Sequence, residues 1–423
     1  MITQGLVWRL GLSQLLCWGL SYYLIGVLGE RIVAETGWSA TLVYSGFSGA
    51  LIVMGLASPL LGRFVDQHGG RPVMMAGSLL LATGCVGLSL ARDLVSYAAA
   101  WACLGLAMRM TLYEAAFAAL ARIGGASARR PIAQITLLGG LASTAFWPVG
   151  NALAEAFGWR GAALAYAGIA LLTLPLHATI PDERHGSQLN CASVERKDAA
   201  PLTRSRADRL LAGALYALMV SVAAFLNSGM SAHMIPILTG LGLSAGVAVW
   251  AATLRGVGQS LARLCEVLFG GRLDPLALGL LASSFLPVAF VAGLFGGASA
   301  LAGAAFAFAY GVGNGLLTIT RGTQPLVLFD PRTYGTLVGS LTAPGYFLSA
   351  LAPVVYALVI ERASEAAALY LSAGLAVLVF GASALLLQRF RPYSRWAGPT
   401  PKFRDGPCCS SNPCSASPLR PAR

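Results

Sequence analysis

Four residues in this chain could do chemistry where chemistry is expensive. Arg109, Glu114, Arg255 and Arg321 each lie within, or close, a long apolar run. A guanidinium at the centre of a membrane helix costs about 2.5–3.5 kcal/mol on insertion scales, so by default it marks a pathway or a partner. Its planar fork bonds a carboxylate through two donors at once, which points to binding of a small anion. At 1.5 Å rise per residue, Arg255 falls near mid-depth of its run and Arg109 at or just past it, while Arg321 closes a run.

Helical spacing groups these residues with others. Arg255, Gln259, Arg263 and Glu266 form one polar stripe, and Tyr310, Asn314, Thr318 and Arg321 form another. Gln14, Trp18, Ser21 and Tyr22 share an earlier run, and Arg109 stands one turn from Tyr113. A lone Ser or Thr on such a stripe is more often an interhelical hydrogen bond than a ligand. Arg263 and Arg321 lie close enough to a span end to reach the interface by snorkelling. Arg109, Arg255 and Arg321 are therefore the expected anion-binding residues, with Trp18, Tyr22, Tyr113, Gln259 and Asn314 shaping the pocket. On one continuous helix Glu114 would sit about 140° round from Arg109, so both cannot face one cavity. Glu114 either pairs with a neighbouring helix or carries a coupling proton.

The elements that must hold these residues follow from composition. Of 423 residues 56% are hydrophobic and only 11% charged, with a mean hydropathy of +0.69. A soluble domain carries roughly a quarter of its residues as charges, so lipid must face much of this chain. At about twenty apolar residues per span, spans are predicted near 6–28, 40–61, 72–91, 94–121, 132–157 and 161–180. Six more follow near 210–234, 244–269, 276–295, 300–320, 337–360 and 366–387. The fold class is thus an all-α membrane protein of twelve helices in two halves, 1–181 and 209–390. A hydrophilic linker, 182–208, joins the halves, and a basic, cysteine-containing tail, 391–423, is expected to be disordered. Most of the 29 Lys and Arg fall on the side of the 62–71 turn, the linker and the tail. Basic loops stay cytoplasmic, so both termini are expected inside.

One short stretch between the second and third spans is more specific. Gly62-Arg-Phe-Val-Asp66-Gln-His-Gly69-Gly70-Arg71 resembles the 2–3 loop of the major facilitator superfamily of secondary transporters. The resemblance covers roughly residues 5–390 and implies a permease whose halves rock about a midplane site. It implies that Gly62, Asp66, Gly69, Gly70 and Arg71 form a conformational latch, with Asp66 against the positive end of the eleventh helix, a contact worth about 0.3–1 kcal/mol. Gln67 departs from the basic residue often found in relatives. Tyr22-Tyr23, Gly37-Trp38-Ser39, Gly158-Trp159-Arg160 and Ala232-His233 are similar to bacterial members of the oxalate/formate and monocarboxylate branch. The resemblance also implies a multi-pass protein of the inner cell membrane. It would be a monomer in the lipid bilayer, carrying a small anionic molecule by proton coupling or exchange.

Other classes fit less well. No H-E-x-x-H surrounds any of the four histidines, and neither lysine follows a phosphate-cradling glycine loop, so enzymatic and nucleotide-hydrolysing readings lack their residues. The arginines are dispersed among apolar runs, which argues against nucleic acid. No cofactor or resident metal is expected. Cys408, Cys409 and Cys414 in the tail keep efflux of a trivalent metalloid open as an alternative, beside drug efflux. A membrane receptor built on a carrier scaffold is the remaining alternative.

Overall fold

The computed structural model describes residues 2–182, 201–270 and 273–390. Residues 183–200 of the predicted linker, Gly271-Arg272 and the tail with its three cysteines lie outside the described residues. The described chain is helical throughout: α1 (Gln4–Cys17), α2 (Leu24–Thr36), α3 (Ala40–His68), α4 (Gly70–Leu90), α5 (Leu94–Thr111) and α6 (Tyr113–Gly124) come first. Then follow α7 (Arg129–Gly140), α8 (Ala142–Leu171) and α9 (Thr173–Ala178), and after the linker α10 (Arg206–Gly240), α11 (Ala245–Phe269) and α12 (Pro275–Leu294). The last three are α13 (Ala300–Leu328), α14 (Tyr334–Arg362) and α15 (Glu365–Arg389).

Among the described residues, nine helical stretches are long and apolar enough to cross a membrane. One of them, Leu94–Ala178, runs for 85 residues, far beyond a single crossing. It folds back into three because a four-residue 3₁₀ turn, Gly125–Ala128, and Gly158 with φ 69° reverse the chain. α11 adds a twelfth crossing; Arg255, Arg263 and Glu266 lower its hydropathy. Short polar residues start the helices: Ser39 accepts from the N–H of Leu42, Asp93 from those of Val95 and Ser96, and Asp274 from those of Leu276 and Ala277.

Four crossings depart from the uninterrupted helices predicted for them, the fifth at Leu141 between α7 and α8 and the sixth at Leu172 between α8 and α9. The first loosens into a π-helical segment, Trp18–Tyr22, between α1 and α2. The fourth breaks at Leu112, whose ψ of −171° is extended and separates α5 from α6. The helical-wheel argument that set Arg109 and Glu114 about 140° apart therefore does not hold, because the two residues stand on different helices.

Packing is inverted relative to a soluble protein. Large apolar side chains such as Leu56, Leu60, Val95 and Leu301 are mostly exposed, whereas Gln14, Arg109, Thr136, Arg263 and Gln324 are buried. Lipid can cover the first group; only protein can satisfy the second. The helices before the linker enclose one core around Trp101, Trp159 and Tyr166, and those after it enclose another around Tyr216, Phe290, Phe306 and Tyr310. The two meet chiefly where α3 packs on α14 and α7 on α11 and α13.

Candidate functional site

The turn between α3 and α4 marks one end of the bundle. Asp66 is buried there and accepts from three donors of α14: the N–H of Gly335 at 2.8 Å, that of Thr336 at 2.6 Å and the Thr336 hydroxyl at 2.7 Å. These N–H groups are among the four that a helix start leaves unbonded, so a carboxylate meets both their hydrogens and the helix dipole. Gly62 allows the approach, since a Cβ on it would stand 2.0 Å from the Gly335 carbonyl oxygen. Gly69, at φ 86°, turns the chain, and Gly70 lies against Ala119 of α6. Arg122 of α6 donates to the Asp66 carbonyl oxygen and pairs with Asp182 at 3.5 Å. Arg71 is exposed.

Inward from this turn, the expected latch, α6 and α13 are joined by an ion pair between Glu114 and Arg321. Arg321 also donates to the Tyr346 hydroxyl at 3.3 Å, with its guanidinium 5.8 Å from that ring, and its carbonyl accepts from Tyr216 at 2.7 Å. The break at Leu112 aims Glu114 across to the other half. Arg109, one turn before the break, is 2% exposed and turned away: its Nε donates to the Ser58 hydroxyl at 2.8 Å and its Nη2 to the Ser58 carbonyl at 3.2 Å. It is covered where α3 meets α14.

A second junction is made by α7. Arg129 at its start pairs with Glu266 at 3.5 Å and donates to the carbonyls of Gly270, at 2.8 Å, and Leu273, closing over the end of α11. Two turns further along α7, the Thr136 carbonyl accepts from both Arg263 Nη1 and the Tyr113 hydroxyl, each at 3.2 Å. Gly139 and Gly140 make room for these donors: a Cβ on them would stand 2.4 Å from the Tyr113 hydroxyl and 2.0 Å from Arg263 Nη1. Arg263 is 3% exposed, bonds Thr318 at 3.3 Å through Nη2, and leaves Nε without an acceptor. Among the described residues no carboxylate pairs with it.

Arg255 lies on the same helix, about 12 Å further from the latch at 1.5 Å per residue. Its Nη2 donates to Asn227 Oδ1 at 2.7 Å, to Ser231 at 3.0 Å and to the Asn227 carbonyl at 3.4 Å. Asn314 donates to Asn227 Oδ1 at 2.8 Å, and the Arg255 guanidinium stands 5.3 Å from the Tyr310 ring. Nε and Nη1 of Arg255 have no acceptor, and no carboxylate pairs with it, among the described residues. Facing it from the first half is an aromatic cluster: Trp18 with Tyr22 and with Tyr113, each at 4.9 Å between ring centroids, and Tyr22 edge-on to Phe47 at 5.0 Å. Arg255 and Arg321 are both within electrostatic range of the Tyr22 hydroxyl. Gln259 is half-buried, one turn from each of the two arginines of α11.

Sequence comparison decides the family. Residues 10–262 match the Major Facilitator Superfamily. The chain belongs to that superfamily. The transporter fold recurs in solved structures: the proton:xylose symporter XylE superposes with a TM-score of 0.70 at 15% identity, over 93% of this chain and 96% of that one. The human organic anion transporter MFSD10 (TETRAN) gives 0.65 at 18% identity, over 90% of this chain and 99% of that one. In sequence the chain is similar to monocarboxylate transporter 11 of Mus musculus, 31% identical over 174 residues, or 38% of this chain and 37% of that protein. It therefore matches little more than a third of that relative's length.

For this superfamily member, the structure brings Arg255, Asn314 and Gln259 to one face. It sets Tyr22, packed on Trp18, opposite Arg255, bonds Tyr113 to the Thr136 carbonyl that Arg263 shares, and holds Arg321 and Glu114 in a pair nearer the latch. Arg109 is not among them. Asn227, Ser231 and Thr136 carry the site's geometry without having drawn notice in the sequence. An asparagine, a serine or a carbonyl oxygen has no signature until its partner is known. A G-x-S-x-G string, Gly242 to Gly246, is a helix start: Ser244 is the N-cap residue of α11, with a helix before it and no strand. The family is one of transporters, not enzymes.

Proposed function

We propose that this transporter moves a small organic anion, of the carboxylate class, across the inner cell membrane by alternating access. The observation that carries the reading is the pair of guanidinium groups on α11, Arg255 and Arg263, neither paired with a carboxylate among the described residues. An intramembrane cation without a counter-ion is costly, and its natural complement is a substrate that brings the negative charge. With Nη2 held by Asn227 and Ser231, Arg255 offers Nε and Nη1 to a carboxylate, and Trp18 and Tyr22 close the apolar side of the pocket. Arg263 would take the anion next, two turns towards the latch. The resemblance to a monocarboxylate transporter over part of the chain supports the same substrate class.

The polar contacts between the halves described above lie between the latch and the level of Arg263, while Arg255 bonds only within its own half. We read this as the state closed at the latch end, which we take from the basic loops to be the cytoplasmic end, with both termini there. Opening would part Asp66 from α14, Arg129 from Glu266 and Glu114 from Arg321, and would uncover Arg109 between α3 and α14. Released from Arg321, Glu114 is the group suited to take a proton, so the carrier would work by proton coupling or by exchange. The halves 1–181 and 209–390, joined by the linker, are the two rocking bodies.

The test is uptake of labelled formate, lactate and oxalate into proteoliposomes. Arg255→Gln and Arg263→Gln are each expected to abolish uptake at normal expression. Unchanged transport in the double variant would refute the reading.

A further inference from the structure

Besides Arg109, a second intramembrane arginine takes no part in the site. Arg9 is exposed on α1, five residues after the helix start, about 8 Å down the axis. It lines an outward-facing groove of about 300 Å³ with Trp8, Leu12, Leu15 and Leu138. Arg9 is the only charged residue in that lining. Trp8 is 61% exposed, and Leu12 is 46% exposed.

The groove runs between α1 and α7, which pack closely at Gly11 and Leu138, where a Cβ on Gly11 would stand 2.4 Å from the leucine. Leu138 shares a face of α7 with Gln134 and Arg130, each one turn nearer the latch end, and Arg130 is exposed. Counting from the Gly11–Leu138 level, Arg130 stands about 9 Å closer to the latch end than Arg9. Arg9 can extend towards that end by snorkelling, which brings both cations to one headgroup layer. Among the described residues no carboxylate pairs with either.

We propose that this groove is a binding site for an anionic glycerophospholipid of the latch-end leaflet. Its phosphate sits between Arg9 and Arg130, and an acyl chain lies along Leu12, Leu15 and Leu138. Charge complementarity selects the headgroup: Arg9 in the groove's lining, with Arg130 exposed nearer the latch end, suits a net anionic lipid better than a zwitterion. Trp8, an amphipathic ring at the same depth, marks the interface where the glycerol backbone lies. The site is separate from the transport path, and its occupant would bear on α7, the helix that holds Arg129 over the end of α11.

The experiment is a thermal-shift titration of the purified full chain. Dioleoyl phosphatidylglycerol, dioleoyl phosphatidylcholine and inorganic phosphate are titrated separately. Phosphatidylglycerol is expected to stabilise at lower concentration than phosphatidylcholine. Arg9→Gln should raise its half-saturating concentration about fivefold, the worth of one surface cation, and leave phosphatidylcholine unaffected. Arg9→Lys, which keeps the charge, should keep the preference, and Leu12→Trp, which fills the groove, should weaken both lipids. Equal phosphatidylglycerol binding by Arg9→Gln and the unaltered chain would overturn the site. So would phosphate alone matching the lipid.

Discussion

Replacing Gly140 by alanine should cost more than its size suggests, and the cost should depend on Arg263. The added Cβ would lie 2.0 Å from Arg263 Nη1 and 3.2 Å from its Cζ. Ordinary carbon–nitrogen contact needs about 3.5 Å, so Nη1 must retreat by roughly 1.5 Å. Its bond to the Thr136 carbonyl is already 3.2 Å long, and such a retreat breaks it. A hydrogen bond from a charged donor contributes about 1.5–3 kcal/mol, more than the ~0.5–1 kcal/mol that alanine gains over glycine in a helix. The net expectation is a loss of about 1–2 kcal/mol, read as a lower Tm in detergent, with slower anion uptake in proteoliposomes. In an Arg263→Gln background the shorter side chain clears the new methyl group, so Gly140→Ala should become neutral or stabilising. If Gly140→Ala alone proves as stable as the unaltered chain, Arg263 is free to move and the cradle reasoning is wrong.

Three further outcomes are expected. Glu114→Gln leaves Arg321 without its carboxylate and should destabilise by about 3–5 kcal/mol, with much of that recovered in Glu114→Gln/Arg321→Gln; in proteoliposomes the single variant should lose pH-driven flux while exchange survives. Asn227→Asp would set a resident carboxylate against Arg255, so it should raise the KM for lactate at least tenfold while the Tm stays level or rises; an unchanged KM would remove Arg255 from the binding site. Asp93, outside the membrane, is held below its ordinary value of 3.8 by the backbone N–H and then the hydroxyl of Ser96. A depressed carboxylate contributes stability above its unfolded pKa and loses it as the pH falls through the folded one. The Tm difference between the unaltered chain and Asp93→Asn, measured from pH 6 downward, should therefore shrink only below about pH 4.

Much of the architecture was legible before any coordinates. Membrane helices announce themselves because lipid demands long apolar runs, and the described helices follow the twelve predicted spans closely. The stretch from Gly62 to Arg71 was recognisable because a tight turn needs glycines and a helix start attracts a carboxylate, both written locally. The polar stripe on α11 was legible too, since helical periodicity is a property of neighbours in sequence.

The site itself was less so. Arg109 and Arg255 looked equivalent by depth, yet one is bonded to Ser58 under α14 and the other borders the aromatic cluster. Nothing local to Arg109 tells which way its helix is rotated. Arg263 read as a cation able to snorkel, whereas α7 brings the Thr136 carbonyl and Gly140 against it and buries it. Glu114 was expected either to pair with a neighbouring helix or to carry a proton, and it pairs with Arg321 of α13. Only the wheel that set it against Arg109 failed, because it was drawn through Leu112, where the helix breaks.

Sequence alone determined that this is a twelve-span membrane protein with a charged turn after its second span, because hydropathy and turn chemistry act over a few residues. Tertiary structure alone decided which cations keep donors to spare. That depends on acceptors such as Asn227 and the Thr136 carbonyl, which come from helices distant in sequence and become partners only once the bundle has packed.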